Sequence, residues 1–468
     1  MSTFSGLNTA YTGLTAARRG LDVVGQNIVN ANVDGYTRQR VTLSSVPAVG
    51  NRFSTGAASG EGVNVDGIAR LGNVMLDNQV RSTASAYGFA NVRATSFAKL
   101  ESSLREPGDE GLSARFDAFA GAWQDVANQP GEAAPAAVLI NEAKALAGHI
   151  ATGYNEAVGE WSRVRGDLNG LVAEVNSAAA SVADLNAQIR KGTAQGVSVN
   201  ELVDQRDRLA AGLAELTGAS VRSGEDGMID LVVDGNSLVA GAKSSAMVAV
   251  GAPSMTGAAS AGVHLEWAAL PGTTVSTSGE AGGLVSLLAS AADGGPIAKA
   301  AEQYNALATK LAGSVNELHA AGSTTGGATG LDFFAFTAGA PAATGLTVVP
   351  TSAAGIATGV AANGAADGSV AAGIAGLLEQ PGSVAKDWSD FVTTFAASSK
   401  AATTTAKGAE TAASNALGAQ AAGASVDMDE ENVNLLMYQQ AYQASARVLS
   451  AVDEALDTLI NRTGLVGR

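Results

Sequence analysis

The sequence predicts a mainly α-helical protein, an elongated helical rod with terminal coiled-coil helices and one small β-rich inserted domain. Apolar residues recur in heptads at both ends of the chain, and a long apolar stripe with helical spacing runs from 146 to 189. Between 219 and 283 the pattern changes to short β-branched runs with Asp-Gly pairs, which predict strands joined by turns. With 468 residues, 46% of them hydrophobic, the chain is long enough to bury several cores.

The N-terminal segment, residues 1–45, carries the first heptad repeat. Leu7, Leu14, Leu21 and Ile28 occupy every seventh position, which places them along one face of a helix. The segment contains four arginines and two aspartates, a net charge of +2. It is therefore predicted to be a coiled-coil helix with a slightly basic character.

The C-terminal segment, residues 425–468, repeats this pattern. Its predicted seam consists of Leu435, Tyr442, Leu449, Val452, Leu456 and Leu459. Seven carboxylates against three arginines give the stretch from 427 to 468 a net charge of −4. Because neither end has an apolar core of its own, we expect the two seams to pack on each other or on the same helices of neighbouring subunits.

Between the ends, the sequence predicts a helical rod in two parts, residues 46–218 and 284–424. The first part contains the stripe from 146 to 189 and a helix that Asn200 is predicted to cap and Gly218 to end. In the second part, Pro296 is expected in the first turn of another helix. Residues 219–283 are predicted to form the β-rich inserted outer domain.

Composition excludes several classes of function. A net charge of −16 without a basic patch argues against binding to nucleic acid. The sequence contains no run of 18 apolar residues, so no membrane span is predicted. The chain has no cysteine, and its three histidines are far apart, so no metal or other cofactor is expected. Asp204 and Asp207 are interpreted as a solvated face or an interdomain salt bridge rather than a catalytic pair. His319 is expected near a helix end, where it interacts with terminal carbonyls.

A polar block follows the N-terminal helix. Its distinctive residues are Asn27, Asn30, Asn32, Gly35, Tyr36 and Arg38. From the residue types alone, the block is predicted to end the helix and to form a turn, in which Gly35 supplies a positive φ. The block also resembles the signature that follows the first helix in the family of flagellar rod, hook and junction proteins, and the stretch from 429 to 447 resembles the matching end of that family.

Interior blocks resemble the hook-associated branch of this family, which lies between hook and filament. They include the stretches 185–189, 204–207, 315–322 and 331–334. The resemblance implies a non-enzymatic structural adaptor that forms a ring with copies of itself and contacts the hook protein and the second hook-filament junction protein. It further implies type III export with a chaperone, without a cleaved signal peptide, to an extracellular place in the flagellum.

Two alternatives remain open at this point. One is another axial subunit, such as the hook protein or the second junction protein. The other is a secreted adhesin, or more remotely a hydrolase, with its site in the β-rich insertion. That insertion offers His264, Glu266 and scattered aspartates, from which no triad or metal set can be assembled.

Overall fold

The computed structural model describes residues 3–33, 35–47, 60–458 and 460, and within them it is mainly helical. The helices are α1 (Thr3–Asn30), α2 (Val74–Leu104), α3 (Leu112–Asn128), α4 (Ala133–Ala194), α5 (Asn200–Thr217), α6 (Gly279–Leu287), α7 (Pro296–Ala321), α8 (Ala342–Gly345), α9 (Ser369–Leu377), α10 (Val384–Ala424) and α11 (Met428–Asp457). The strands are β1 (Gln39–Ser45), β2 (Val63–Arg70), β3 (Ser220–Ser223), β4 (Ile229–Val233), β5 (Asn236–Ala240), β6 (Lys243–Ser244), β7 (Met247–Val250), β8 (His264–Trp267), β9 (Leu270–Val275), β10 (Ser323–Thr324), β11 (Phe334–Phe336), β12 (Leu346–Val348) and β13 (Ala357–Gly359).

Helix α4 is the long axis of the rod. At about 1.5 Å per residue its 62 residues span about 93 Å. Its predicted apolar stripe is buried along the whole length, because α3, α5 and α7 pack against it. Trp123 on α3 and Trp161 on α4 are fully buried, so both are core residues.

Helix ends follow the local signals, with one exception. Pro296 occupies the first turn of α7, and Gly218 ends α5 in the left-handed conformation with φ 74°. Helix α5 begins at Asn200, yet the Asn200 side chain does not cap it. Its amide instead donates to Gln39 Oε1 at 2.9 Å and to the Ile68 carbonyl at 3.2 Å. The prediction of an Asn200 cap is therefore wrong, since tertiary contacts with the β1–β2 hairpin recruit the side chain.

The β-rich insertion folds as two antiparallel sheets, β3-β4-β5-β6 and β7-β8-β9. Buried side chains of both sheets join the same apolar cluster as α4. Asn186 on α4 is fully buried and bonds the backbone of Ile229 and Gly241, while Asn176 bonds that of Met247. Gly283 lies inside α6. The boundary at 219–283 stays a prediction, and these contacts tie the insertion to the rod.

Strands β1 and β2 form a β-hairpin that the sequence did not predict. Strand β1 lies at the end of the segment predicted as coiled coil, residues 1–45, and β2 lies near the start of the predicted helical rod. The strands of the hairpin are antiparallel, with a register shift between Thr42 and Leu43. The hairpin packs on α1, and Val41 is buried. Alternation in these strands is weak, because the bulge interrupts the two-residue period, and so the pattern is easily missed.

The loop at residues 331–336, which contains three phenylalanines, packs on the rod of its own chain. Phe333 and Phe334 are buried, and Phe333 lies 4.9 Å from the Trp123 ring. His319 holds this loop in place instead of capping α7. Its Nδ1–H donates to the Leu331 carbonyl at 2.6 Å, and its Nε2 accepts from the Ala357 amide at 2.9 Å. Since Nε2 is an acceptor, these bonds require the neutral imidazole.

We expect this histidine to make the rod less stable in mild acid. Burial lowers the pKa of His319 below its usual value of 6.5. The stability contributed by the neutral ring is therefore complete above pH 6.5 and is lost as the pH falls through the folded-state pKa, by up to about 1.4 kcal/mol per pH unit. Urea unfolding between pH 7.5 and pH 5 should show this slope, and His319→Gln should reduce it. Equal slopes for both proteins would contradict the assignment.

Candidate assembly site

The two ends of the chain meet as an antiparallel helix pair. Along α1, Gly6, Gly13, Gly20 and Asn27 face α11, each seven residues from the next. A Cβ added to Gly6 would lie 3.7 Å from Val452, one added to Gly13 would lie 3.0 Å from Ser445 Oγ, and one added to Gly20 would overlap the Tyr438 ring. Asn27 reaches Glu431 at 3.1 Å. The four contacts advance seven residues up one helix and seven down the other, which defines one continuous seam.

The predicted seam residues of α1 lie beside this contact line. Leu7, Leu14, Leu21 and Ile28 each follow one of the facing residues by one position, and all four are half-buried. The residues that are fully buried on α1 include the small side chains Ala10, Ala16 and Ala17. Glycine and alanine let the two backbones approach closely, so the leucines are displaced to the flank of the pair.

On α11 the predicted residues point towards α1 or to its flank. Leu435, Leu449, Val452 and Leu456 are half-buried, whereas Tyr442 is 37% exposed. Leu459 lies outside the described residues. Because these side chains are only partly covered, the helix pair keeps apolar surface available for further packing.

Asn27 is the hub at the end of the seam. It is buried, and its Oδ1 accepts from the Tyr36 hydroxyl at 2.8 Å and from the Gln39 amide at 3.0 Å. Its Nδ2 donates to the Gln39 carbonyl at 2.9 Å and to Glu431 at 3.1 Å. The side-chain amide of Asn27 thus acts both as donor and as acceptor. An isosteric aspartate or leucine could not make both kinds of bond.

A buried carboxylate on α11 completes the hub. Glu431 is 1% exposed and pairs with Arg38 at 2.7 Å, while Arg38 also pairs with Glu430 at 2.5 Å. Arg38 N–H additionally donates to the Ala424 carbonyl at 2.9 Å, next to the end of α10. The Arg38 guanidinium thus supplies the charge that a buried Glu431 requires, and it joins the polar block to the C-terminal helix.

The remaining signature residues have different environments. Gly35 has φ 72°, and a Cβ there would overlap the Arg208 side chain, so this position needs glycine for two reasons. Burial, together with nearby carboxylates led by Asp204, raises the pKa of Tyr36 to about 12, which keeps its hydroxyl a donor. Asn30 bonds the Gln26 carbonyl of its own helix, and Asn32 is exposed.

A second ionic cluster fastens the hairpin to the rod. Arg70 on β2 pairs with Asp204 at 2.5 Å and with Asp207 at 3.1 Å. Burial raises the pKa of Asp204, although the Arg70 guanidinium opposes this shift. The Thr37 amide also donates to Asp204 at 3.3 Å. The two aspartates therefore form a salt bridge between the hairpin and α5 rather than a solvated face. Both partners lie within residues 46–218, so the bridge is not interdomain by the predicted boundaries, and spacing could not identify Arg70 as the partner.

The described residues include no group of three His, Cys, Asp or Glu side chains that could hold a metal ion. None of their helices is long and apolar enough to cross a membrane. The described part does contain a connected polar site at the junction of α1, the polar block, the hairpin and α11. Its groups are engaged with one another, and such an arrangement positions helices rather than reactants.

Models of flagellar protein families match three parts of the chain. Residues 97–334, half of the chain, match the helical domain of the flagellar hook-associated protein FlgK. Residues 7–37 match the flagella basal body rod protein, and residues 421–462 match the C-terminal part of the flagellar basal body rod FlgEFG proteins. The two terminal matches cover most of α1, the polar block as far as residue 37, and all of α11.

Curated relatives carry the same description. The chain is 28% identical over 506 residues to flagellar hook-associated protein 1 of Bacillus subtilis, covering 100% of both chains. It is 30% identical over 247 residues to the protein of that name from Salmonella typhimurium, covering 52% of this chain and 44% of that one. A solved structure of the flagellar hook junction protein FlgK from Burkholderia pseudomallei aligns with a TM-score of 0.48 and 24% identity, over 56% of this chain and 47% of that one.

Proposed function

This chain belongs to the flagellar hook-associated protein 1 family, and from this premise we propose that it is the structural adaptor that joins the flagellar hook to the filament. The observation that carries the proposal is the antiparallel α1–α11 pair, which brings the chain ends together and leaves a half-buried apolar flank. We assign the predicted seam residues and the polar block to assembly, and we expect no catalysis.

Its proposed partners follow from this place in the flagellum. They are copies of itself in a ring, the hook protein, the second junction protein and an export chaperone, with neither nucleic acid nor membrane among them. The proposed route is type III export without a cleaved signal peptide, to the extracellular flagellum. Residues 1–45 and 425–468 would be the axial segments, residues 46–218 and 284–424 the rod, and residues 219–283 the outer insertion.

The alternatives have less support. Another axial subunit is less favoured because the match over residues 97–334 is to the hook-associated helical domain, and the terminal matches alone are shared more widely. An adhesin would need a binding surface on the insertion. A hydrolase would need a catalytic set, and both ring nitrogens of His264 are already bonded, one to Glu266 at 2.9 Å and the other to the Gly262 carbonyl at 2.8 Å.

A charge placed in the seam tests the proposal. Leu449→Asp should prevent junction assembly, because burying an unpaired carboxylate costs several kcal/mol in each subunit. Ser450→Asp is the matched control, since it adds the same charge at the next, exposed position of α11. Cells with Leu449→Asp or Leu21→Asp should export the protein yet lose filaments, whereas cells with Ser450→Asp should keep them.

Electron microscopy of the cells and thermal melting of the purified proteins give the two readouts. The rod should melt as in the parent, because α1 and α11 contribute no residue to its main apolar cluster among those described. Normal filaments on Leu449→Asp cells would refute the assembly role of this seam.

A further inference from the structure

Helix α5 bonds both the hairpin and the β-rich insertion. Towards the insertion, Arg206 is 5% exposed, and its Nη1 donates to the Gly227 carbonyl at 2.7 Å. Gly227 belongs to the turn Glu225–Gly227, which joins β3 to β4, and it has a left-handed φ of 79°. Towards the hairpin, Asp207 pairs with Arg70 at 3.1 Å. Two adjacent residues of one helix thus hold the first turn of the insertion and the end of β2.

Asp207 is shared between the two arginines. Its Oδ1 accepts from Arg206 Nε at 3.1 Å and from Nη2 at 2.9 Å, while its Oδ2 accepts from Arg70 Nη1 at 3.1 Å. The three side chains form an ionic line, Arg70–Asp207–Arg206, that ends on the backbone of the insertion. Because each oxygen of the central carboxylate has its own partner, the members of such a network orient one another.

Burial makes the two arginines depend on each other. The Arg206 guanidinium is almost fully buried and needs the Asp207 charge beside it. The Asp207 side chain is 30% exposed, so without Arg70 on its Oδ2 it can turn towards water. Arg206 would then lose the partner that orients its planar fork on the Gly227 carbonyl. Loss of Arg70 is therefore expected to loosen the turn at Gly227 through Asp207 and Arg206.

The hairpin is itself fixed by the ends of the chain. Arg38 directly precedes β1 and pairs with the buried Glu431 of α11. The Arg38 carbonyl accepts from the Leu71 amide at 2.9 Å, immediately after Arg70. Arg70 Nη2 also donates to Thr37 Oγ1 at 3.0 Å. The position of the Arg70 guanidinium thus depends on the packing of α11 against α1 and the polar block.

We propose that α5 couples the packing of the terminal helices to the first turn of the β-rich insertion through the ionic line. When α11 lies on α1, the hairpin holds Arg70 against Asp207, and Arg206 closes the turn at Gly227. When the ends of the chain separate, the ionic line releases the turn. Arg206 and Asp207 are positioning residues in this device. The inference goes beyond the proposed function, because it concerns coupling inside a single folded chain.

Hydrogen exchange of the purified full-length chain tests the coupling. The reporter is the peptide with the Gly224 and Met228 amides, which are bonded within the turn region, and β8 and β9 are the internal reference. Arg206→Met should speed exchange of the reporter about tenfold, as expected for the loss of a bond to a charged group. Arg206→Lys should not restore the parent rate, since an ammonium lacks the fork that bonds Asp207 and the turn together. A reporter that exchanges in Arg206→Met as in the parent would overturn the proposal.

A second set of variants shows whether Arg70 affects the turn. Arg70→Met alone would leave Asp204 buried without its partner, so it is combined with Asp204→Asn. This double variant should speed exchange of the reporter about threefold, the effect of one coupled neighbour. Asp204→Asn alone is the matched control, because it keeps Arg70 on Asp207, and its reporter should exchange as in the parent. Equal rates in the control and the double variant would contradict the coupling.

Adding Arg206→Met to that double variant shows whether the two arginines act in one ionic line. If Arg70 acts through Arg206, the triple variant should exchange no faster at the reporter than Arg206→Met combined with Asp204→Asn, because the ionic line is already broken. Effects that multiply would show that the arginines stabilise the turn independently, and the proposal would then be wrong.

Neutralising the buried ion pair extends the test to α11. Arg38→Gln with Glu431→Gln removes both charges and leaves α5 unchanged. The reporter should exchange about threefold faster in this chain, and no faster than in Arg206→Met when that change is added. A reporter that exchanges as in the parent would show that the chain ends and the insertion are not coupled. Since this measurement needs no flagellum, such a failure would leave the proposed function standing.

Discussion

Replacing Gly20 with valine should abolish filament attachment, while the same replacement at Gly25 should leave it intact. Even a Cβ at position 20 would overlap the Tyr438 ring, whereas one at position 25 meets no atom within 4 Å. Overpacking of this kind typically costs about 1–3 kcal/mol, and it would separate α1 from α11 at the middle of the seam. Swarming and filament counts measure the outcome.

Gly25→Val is also the control for a change in helix propensity. Valine is a slightly better helix former than glycine, so both changes should otherwise be neutral or mildly stabilising for α1. Tyr438→Ala should partly restore attachment to the Gly20→Val chain, because it removes the ring that valine meets. Full attachment of filaments in cells with Gly20→Val alone would show that the closely packed seam is not needed for assembly.

Asn27→Asp should disrupt the packing of α1 on α11 as severely as Gly20→Val does, although it replaces only the side-chain amide nitrogen with an oxygen. The new carboxylate cannot donate to the Gln39 carbonyl, and it would lie next to buried Glu431, which Asn27 now contacts at 3.1 Å. Placing an uncompensated charge in such a site costs about 3–5 kcal/mol. Asn32→Asp, the same change at an exposed position of the polar block, should have little effect.

Hydrogen exchange of the purified chains separates these variants. Asn27→Asp should lose protection in α1, the β1–β2 hairpin and α11, and should keep it in α4 and α7. Glu431→Gln in the same chain should recover part of the protection, since it removes one of the two carboxylates. Equal protection of α1 in the Asn27→Asp and Asn32→Asp proteins would show that Asn27 is not the hub.

The seam also shows how far spacing alone can lead. Heptads of leucine correctly predicted two helices, but the line that faces α11 is the neighbouring heptad, Gly6, Gly13 and Gly20, continued by Asn27. Glycines at seven-residue intervals are visible in the sequence and could have indicated close helix approach. Apolar bulk is the usual signal for a buried face, and this signal favours the leucine heptad over the glycine heptad.

What the sequence determined by itself was local or compositional. Periods of 3.5 and 3.6 residues fixed the helices, Pro296 and Gly218 fixed helix ends, and the polar block with its neighbours identified the family. These signals lie within short windows of chain, and backbone preference acts over the same range. The exclusions of cysteine chemistry and of a basic surface needed only composition.

The tertiary structure decided which distant groups meet. Glu431 was one acidic residue among several until the fold placed it, 404 positions away, against Asn27 and Arg38. Likewise, the fold places Arg70 against Asp204, and the Asn200 side chain bonds the hairpin instead of capping its own helix. A buried charge is stable only beside its partner, and the identity of that partner depends on the path of the whole chain, which no local pattern records.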